Sequence, residues 1–235
     1  KRRIERDVMV PTHDFTDCAE VGSLFISAEA RGGGLGRLLA RARYMFIAQS
    51  PKIIADPVCA ELRGWRAPDG TQPFWNAVGR RFFGMDFEEA DAYNAAFGNQ
   101  FIEDLMPRYP IYVDMLPDDA RQCLGRPHES AEPALKMLKE EGFSYNNYID
   151  VFDGGPLVDA RQAGIRTIRQ SKLAQIAAIE EKVDGPDLLL ATGATARFRS
   201  TRAKAIVDGD RLTLSRAAAT ALNVEPGAEL RWAKW

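Results

Sequence analysis

Four glycines within six residues, Arg31-Gly32-Gly33-Gly34-Leu35-Gly36, restrict the fold of this chain more than any other feature of its sequence. The residues before them, 19–27, form an apolar run with β-branched and aromatic side chains, which predicts a strand. The residues after them, 37–49, carry apolar side chains at helical spacing. A strand, a glycine loop and an amphipathic helix in direct succession are typical of an α/β unit.

The glycine loop also predicts a binding site, because it fits the pattern R/Q-x-x-G-x-G/A at the start of a helix. Glycine adopts positive φ angles readily, and N–H groups at the start of a helix attract an anion with the helix dipole behind them. We therefore expect a pyrophosphate to bind here. The residues expected to hold it are Arg31, Gly32, Gly33, Gly34, Leu35 and Gly36.

The loop has other interpretations. The plainest is a glycine-rich turn that joins a strand to a helix and binds nothing. A Rossmann dinucleotide loop needs GxGxxG and an acidic residue that ends a following strand at the expected distance, and neither can be placed here. A Walker loop needs GK[ST], which this segment lacks. The two nucleotide-binding alternatives are therefore disfavoured, while the plain turn stays open.

Beyond the first helix, helical and strand patterns alternate. Residues 58–62 predict a second strand, and residues 65–128 are interpreted as an insertion whose helical segments are punctuated by prolines. Residues 132–141 predict a short helix, and residues 143–152 alternate as a strand. These patterns predict a first domain over residues 1–160.

The remainder of the chain has a different sequence pattern. Residues 161–184 are predicted to be a helical connector, because 165–182 contain good helix formers and little glycine or proline. Short strand patterns then surround one short helix, which predicts a small β-barrel-like subdomain over residues 185–235. The predicted fold class is therefore α/β (α+β), with one sheet and flanking helices followed by a β-rich appendage.

Composition narrows the function classes. A net charge of -2 provides no positive field for nucleic acid or an anionic membrane, and no apolar run reaches the length of a membrane span. The cysteines Cys18, Cys59 and Cys123 lack CxxC or Cys/His clustering, which argues against a disulfide framework and a zinc site, and Cys59 is expected to be a buried, inert thiol. We expect a cytoplasmic protein that needs no metal and binds neither nucleic acid nor a membrane.

Longer blocks of the sequence resemble known families. The strand, glycine loop and helix are similar to the CoA-binding motif of the GNAT acyltransferase superfamily, and EPALKMLKEEGFSYNNYIDVF resembles the closing helix and strand of that fold. From about Ala19 to Ile168 the chain resembles the arginine (and ornithine) N-succinyltransferase family. The blocks that carry this resemblance are CAEVGSLFISAEARGGGLGRLLARARYMFIA, AELRG, PFWNAVGRRFFGMDFEEAD, FIEDLMPRYPIY and YIDVFDGGP.

The resemblance implies a fold and an activity. The fold would be a GNAT-like sheet whose N-terminal part is missing, because several elements precede the CoA strand in that fold and only about 18 residues do so here. The activity would be transfer of succinyl from succinyl-CoA to the α-amine of L-arginine, the first step of succinyl-dependent arginine catabolism in a bacterial cytoplasm. Two alternatives stay open: a GNAT enzyme that acts on ornithine or another amine with a different acyl-CoA, and a non-catalytic subunit of a heteromeric enzyme. A homo- or hetero-oligomer is expected.

The resemblance also assigns roles to single residues. The main-chain N–H of Leu24 would polarise the thioester carbonyl of succinyl-CoA, although Leu24 is equally interpreted as a plain core residue. His128 aligns with the proposed proton donor of the family, and an imidazole gains and loses a proton near neutral pH. The alternative for His128 is a histidine in a surface loop.

Four charged residues are candidates for binding the substrate: Glu61, Arg63, Asp86 and Asp153. Carboxylates suit a guanidinium, and a basic group suits the carboxylate of an amino acid. Each of the four is equally interpreted as a helix cap or a surface ion pair. Trp75, Phe82 and Phe83 could wall a pocket, but their helical spacing favours core packing.

Overall fold

Helices and strands are interspersed along the chain in the computed structural model, which describes residues 3–98 and 100–235. The strands are β1 Val8–Met9, β2 Ala19–Glu20, β3 Val58–Glu61, β4 Ile111–Tyr112, β5 Ser144–Ile149, β6 Pro156–Ala160, β7 Lys172–Glu180, β8 Asp187–Thr192, β9 Arg199–Asp208, β10 Arg211–Ser215 and β11 Glu229–Lys234. The α-helices are α1 Leu35–Gln49, α2 Pro73–Ala77, α3 Gly79–Phe83, α4 Phe87–Phe97, α5 Gln100–Leu105, α6 Asp118–Arg121, α7 Glu132–Glu141, α8 Arg166–Gln170 and α9 Arg216–Leu222. None of the helices in the described ranges combines the length and the apolar character needed to cross a membrane.

The chain divides into two units that are interleaved in sequence. The first unit contains residues up to Asp17 together with Cys59–Lys136 and Ser144–Asp159. The second unit contains Cys18–Val58, Met137–Phe143 and Ala160–Trp235. The glycine loop and the C-terminal strands therefore belong to the same unit, although they are far apart in sequence.

The first unit is built from one sheet and several short helices. Strands β3, β6 and β5 lie side by side in that order, and β5 and β6 are antiparallel with Tyr145 opposite Val158. The predicted strands at 58–62 and 143–152 are thereby confirmed in type, as is the helix predicted at 132–141. Strands β1 and β4 form a separate antiparallel pair.

An aromatic cluster forms one core of the first unit. Trp75 stacks on Phe83 with ring centroids 5.4 Å apart and on Phe152 at 5.6 Å. Trp75 and Phe83 are buried, which confirms the core packing expected of them, whereas Phe82 is 36% exposed. A Cβ on Gly79 would lie 2.2 Å from the Trp75 ring, so glycine is required where α3 begins against the indole.

A closed barrel dominates the second unit. Its strands follow the order β10, β7, β11, β8, β9, with β7 parallel to β10 and the other pairs antiparallel. Leu190, Leu212, Leu214 and Leu230 are fully buried inside it. Closure pairs each of these five strands with a neighbour on both sides.

Two sequence predictions are wrong in this unit. The helical connector predicted at 165–182 is helical only over Arg166–Gln170, and Lys172–Glu180 is the barrel strand β7. Its residues are acceptable helix formers, but pairing on both sides within the barrel overrides that weak preference. The strand predicted at 19–27 is limited to Ala19–Glu20, because Ser23 has a φ of 54°, which an extended strand does not accommodate.

Helix α1 packs against the barrel, and this contact fixes the position of the glycine loop. Met45 is fully buried in a cluster with Leu189, Ala191 and Ala233, and Leu38 and Trp235 pack against the same cluster. Since α1 begins at Leu35, the residues just before it are held where the barrel holds the helix.

A buried ionic network supports the same helix. The side chain of Arg41 is 5% exposed, and its Nε lies 2.8 Å from Thr167 Oγ1 and 3.4 Å from Glu141 Oε1. Glu141 also accepts from the Thr167 N–H at 2.8 Å and from Arg166 Nη2 at 3.0 Å. Burial lowers the pKa of Arg41, and the charge of Glu141 opposes that effect.

Candidate functional site

The glycine loop has the backbone geometry that an anion site requires. Gly32, Gly33 and Gly34 have φ angles of 95°, 57° and 83°, and helix α1 starts directly after them. In the described part of the chain, the N–H groups of these three glycines donate to no backbone carbonyl. The neighbouring N–H groups make only long bonds, from Arg31 to Ala28 O at 3.3 Å and from Leu35 to Gly32 O at 3.4 Å.

The three glycines line a cleft at the start of α1. The cleft has a volume of about 350 Å³. It is lined by Glu29, Ala30, Arg31, Gly32, Gly33, Gly34, Leu35, Leu38 and Arg202. A Cβ added to Gly32 or Gly33 would meet no atom within 4 Å. Open space beside unpaired amides at a helix start is an arrangement that binds phosphate groups.

The charges in the cleft are mixed. The Nε of Arg31 donates to Ile26 O at 3.3 Å, which leaves the rest of its guanidinium for other partners. Glu29 is also part of the lining, and hydrogen bonds from its own backbone and from Ser27 lower its pKa. Glu29 is therefore ionised at neutral pH and opposes an anion, so the amides and arginines must supply the attraction.

Four residues of the lining are not among those expected from the sequence: Glu29, Ala30, Leu38 and Arg202. Arg202 is the basic residue of the four. It lies on β9, and its guanidinium is 2.7 Å from Asp187 Oδ2 and stacks on Trp235, with 4.8 Å from its carbon to the ring centroid. Strand alternation predicts that an arginine in β9 points outward. Nothing in the sequence shows that this face of the barrel lies beside residue 34.

Leu24 lies outside any strand and is half-buried. Its N–H donates to no backbone carbonyl among the described residues, and its role as a main-chain donor to the thioester stays a prediction. The adjoining segment is held by Arg43 of α1, whose Nη1 donates to Gly22 O at 3.1 Å.

His128 belongs to the first unit, where a short antiparallel pairing positions it. Gly64 and Pro127 form a β-bridge, and the His128 N–H donates to Arg63 O at 2.8 Å. The ring Nδ1 accepts from the Ser130 N–H at 3.1 Å and lies 2.8 Å from Ser130 Oγ. Because an N–H group can only donate, the neutral ring carries its proton on Nε2, which makes Nε2 a hydrogen-bond donor.

Asp153 is used by the backbone around the same pairing. Its two oxygens accept from the N–H of Gly64 at 2.7 Å and from the N–H of Gly155 at 2.8 Å. A Cβ on Gly64 would lie 2.3 Å from Asp153 O, so the two segments approach too closely for any other residue. The Asp153 carboxylate therefore holds two main-chain segments together, a structural role that substrate binding would not explain.

Asp150, which sequence analysis did not single out, lies in the same turn. Its Oδ1 accepts from the N–H groups of Phe152 and Asp153 at 2.8 and 3.0 Å. Burial, followed by the charge of Asp153, raises the pKa of Asp150 to about 6. Two carboxylates held this close cannot both ionise easily.

The remaining predicted residues are exposed. Glu61 ends β3, and Arg63 follows it with its carbonyl bonded to His128. Asp86 precedes α4 and pairs with Arg80 at 3.3 Å, as a surface ion pair would. The structure thus joins Arg63 and His128 through a backbone hydrogen bond, and the Asp153 carboxylate binds the neighbouring Gly64 N–H, while Asp86 has a separate partner. The predicted burial of Cys59 is confirmed.

Several known proteins are similar to this chain. The arginine N-succinyltransferase subunit beta of Pseudomonas aeruginosa is 38% identical over 219 residues, which covers 93% of this chain and 64% of that protein. The subunit alpha of the same organism is 37% identical over 224 residues, with 93% and 65% covered. The arginine N-succinyltransferase of Photorhabdus laumondii is 35% identical, with 93% and 64% covered. The chain therefore spans slightly less than two thirds of each relative.

A solved structure and two family models agree with these relatives. The arginine/ornithine succinyltransferase subunit AI from Pseudomonas aeruginosa matches with a TM-score of 0.75 at 36% identity, over 89% of this chain and 60% of that one. The model of the arginine N-succinyltransferase beta subunit matches residues 1–167, and that of its C-terminal domain matches residues 169–234. The chain belongs to the arginine N-succinyltransferase family.

Proposed function

We propose that this chain binds succinyl-CoA at the glycine cleft and transfers the succinyl group to the α-amine of L-arginine. The observation that carries the proposal is that Gly32, Gly33 and Gly34 line a cleft at the start of α1, while their N–H groups donate to no backbone carbonyl within the described residues. The pyrophosphate of CoA is the anion that suits such a cradle. On this proposal the segment from β2 to α1 corresponds to the CoA-binding part of a GNAT-type fold.

The acyl transfer follows from this placement. The neutral amine attacks the thioester carbonyl, and the main-chain N–H of Leu24 stabilises the oxyanion of the tetrahedral intermediate. The C–S bond then breaks and the electron pair leaves with the CoA sulfur. One proton is lost from the attacking nitrogen and one is gained by the thiolate, so the products are N2-succinylarginine and CoA.

His128 is proposed to donate a proton to the departing thiolate from its imidazolium form, and the proton lost by the attacking nitrogen restores that form for the next turnover. The contact from the Ser130 N–H to Nδ1 places the proton of the neutral ring on Nε2. When the ring is protonated, Nδ1–H can donate to Ser130 Oγ, which lies 2.8 Å away. Ser130 Oγ is therefore the acceptor for the protonated ring that this proton transfer requires.

Glu61 and Arg63 are candidates for contacting arginine, because both are exposed beside the end of β3. A carboxylate would pair with the guanidinium of the substrate, and a guanidinium would pair with its carboxylate. Asp86 stays a candidate with a competing partner in Arg80. Asp153 is proposed to shape the site rather than to touch the substrate.

Ornithine is a second candidate substrate, because the similar solved structure is titled an arginine/ornithine succinyltransferase. Heteromeric assembly is also proposed, since the alpha and beta subunits of Pseudomonas aeruginosa resemble the chain equally well, at 37% and 38% identity. A non-catalytic role in such an assembly is the alternative to a complete active site.

One assay separates these proposals. Turnover is measured with succinyl-CoA and acetyl-CoA against arginine, ornithine and a polyamine. We expect the highest kcat/KM with succinyl-CoA and arginine, and a strong loss of kcat for His128→Ala with little change in the Kd for CoA. A preference for acetyl-CoA would reject the succinyltransferase proposal. Binding of CoA without turnover of any pair would favour a non-catalytic subunit.

A further inference from the structure

We propose that Arg202, on strand β9 of the barrel, binds a phosphate group of CoA at the glycine cleft. This inference rests on the proposed function, because it gives the anion expected there a side-chain partner. It also gives the C-terminal barrel a direct part in binding the acyl donor, beyond supporting helix α1.

The guanidinium of Arg202 is placed beside the loop. A Cβ built on Gly34 would lie 3.6 Å from Arg202 Nη1, and Arg202 lines the cleft together with the glycines. Its Nη2 is occupied by Asp187 at 2.7 Å. One edge of the planar guanidinium is therefore fixed within the barrel, and Nη1 remains on the side of the loop with hydrogen atoms to donate.

Trp235 holds the guanidinium from its flat face. The guanidinium carbon of Arg202 is 4.8 Å from the indole centroid, a distance at which cation–π attraction is effective. The same indole would lie 3.3 Å from a Cβ on Gly34, so ring, guanidinium and loop are mutual neighbours. An arginine held by a carboxylate and an aromatic face loses little side-chain freedom when a phosphate binds.

The charges that line the cleft favour a second basic residue for binding an anion. Glu29 is ionised and lines the cleft, and by itself it offsets the charge of Arg31. Arg202 adds a second guanidinium to the lining. Its side chain is 36% exposed and shared with Asp187, so the expected contribution to CoA binding is moderate.

The test is the affinity for CoA of three proteins: the unchanged chain, Arg202→Gln and Arg211→Gln. Arg211 is an exposed arginine at the start of β10, outside the lining of the cleft, so its replacement makes the same change in net charge. Calorimetry is expected to show about a 10-fold higher Kd for Arg202→Gln, and at most a twofold change for Arg211→Gln. Arg202→Lys, which keeps the charge but loses the planar fork, is expected to lie between them. Thermal unfolding of each variant checks that the fold is kept.

Repeating the titrations with 3′-dephospho-CoA identifies the phosphate. A loss in Arg202→Gln that persists assigns the pyrophosphate, and a loss that disappears assigns the ribose 3′-phosphate; both results support the inference. Equal CoA affinities for Arg202→Gln and Arg211→Gln overturn it and leave the proposed function intact. Failure of the unchanged chain to bind CoA overturns both.

Discussion

The backbone of Gly33 allows a test of the anion site that separates charge from strain. Its φ of 57° lies in the left-handed region, which asparagine and aspartate tolerate better than other non-glycine residues. A Cβ at this position would meet no atom within 4 Å. Gly33→Asn and Gly33→Asp should therefore both fold, with side chains of nearly equal size that differ by one negative charge.

The magnitude follows from the expected position of the diphosphate. A carboxylate roughly 6 Å from a group carrying about two negative charges is repelled by about 1.4 kcal/mol in bulk water and by more near a protein surface. We take about 2 kcal/mol, which corresponds to a Kd for CoA about 30-fold higher for Gly33→Asp than for Gly33→Asn. The strain of the left-handed backbone is common to both variants and cancels.

The assay is a calorimetric titration of each variant with CoA at low and at high salt. Screening should reduce the difference between the variants as the ionic strength rises. Thermal unfolding should give similar midpoints for the two proteins. Equal affinities for CoA in two folded variants would refute the view that amides of residues 32–34 hold an anion.

Three further predictions follow from other parts of the structure. Ser130→Ala removes the hydroxyl beside the imidazole of His128, so we expect kcat to fall about tenfold with little change in KM. An unchanged kcat would contradict this. Glu141→Ala leaves the buried guanidinium of Arg41 without its carboxylate, so urea unfolding should show a free energy of unfolding lower by about 3–5 kcal/mol. Glu140→Ala, at the exposed neighbouring position, should lower it by less than about 1 kcal/mol. The pKa of Asp150 is raised from 3.8 to about 6 in the folded chain. Its contribution to stability is therefore present below pH 3.8 and is lost as the pH rises through 6. Asp150→Asn should flatten the dependence of the unfolding free energy on pH in that window.

The glycine loop could be predicted from sequence because its conformation depends on local properties. Four glycines and a helical apolar pattern determine φ angles, helix start and exposed amides within a few residues. The same holds for α7 and β5, where helix and strand periods change at Gly142. These elements need no distant partner to be recognised.

Features that depend on distant contacts could not be predicted. Strand β7 was interpreted as a helix because KLAQIAAIE contains good helix formers, and only its neighbours β10 and β11 make it a strand. The position of Arg202 beside Gly34 joins residues 168 positions apart and leaves no local pattern. The role of Asp153 in its turn likewise depends on its hydrogen bond from the N–H of Gly64, which is 89 residues away in the sequence.

The hydrophobic cluster that helix α1 shares with the barrel limits how segments can be exchanged between proteins of this family. Separate family models match residues 1–167 and 169–234, which invites exchange of the two segments between relatives at residue 168. Met45 and Leu38, however, lie on the first segment and are covered by Leu189 and Ala233 of the second. A chimera joined at 168 would therefore place unmatched surfaces against each other, and inheritance of the glycine loop together with the barrel is the arrangement that preserves the fit.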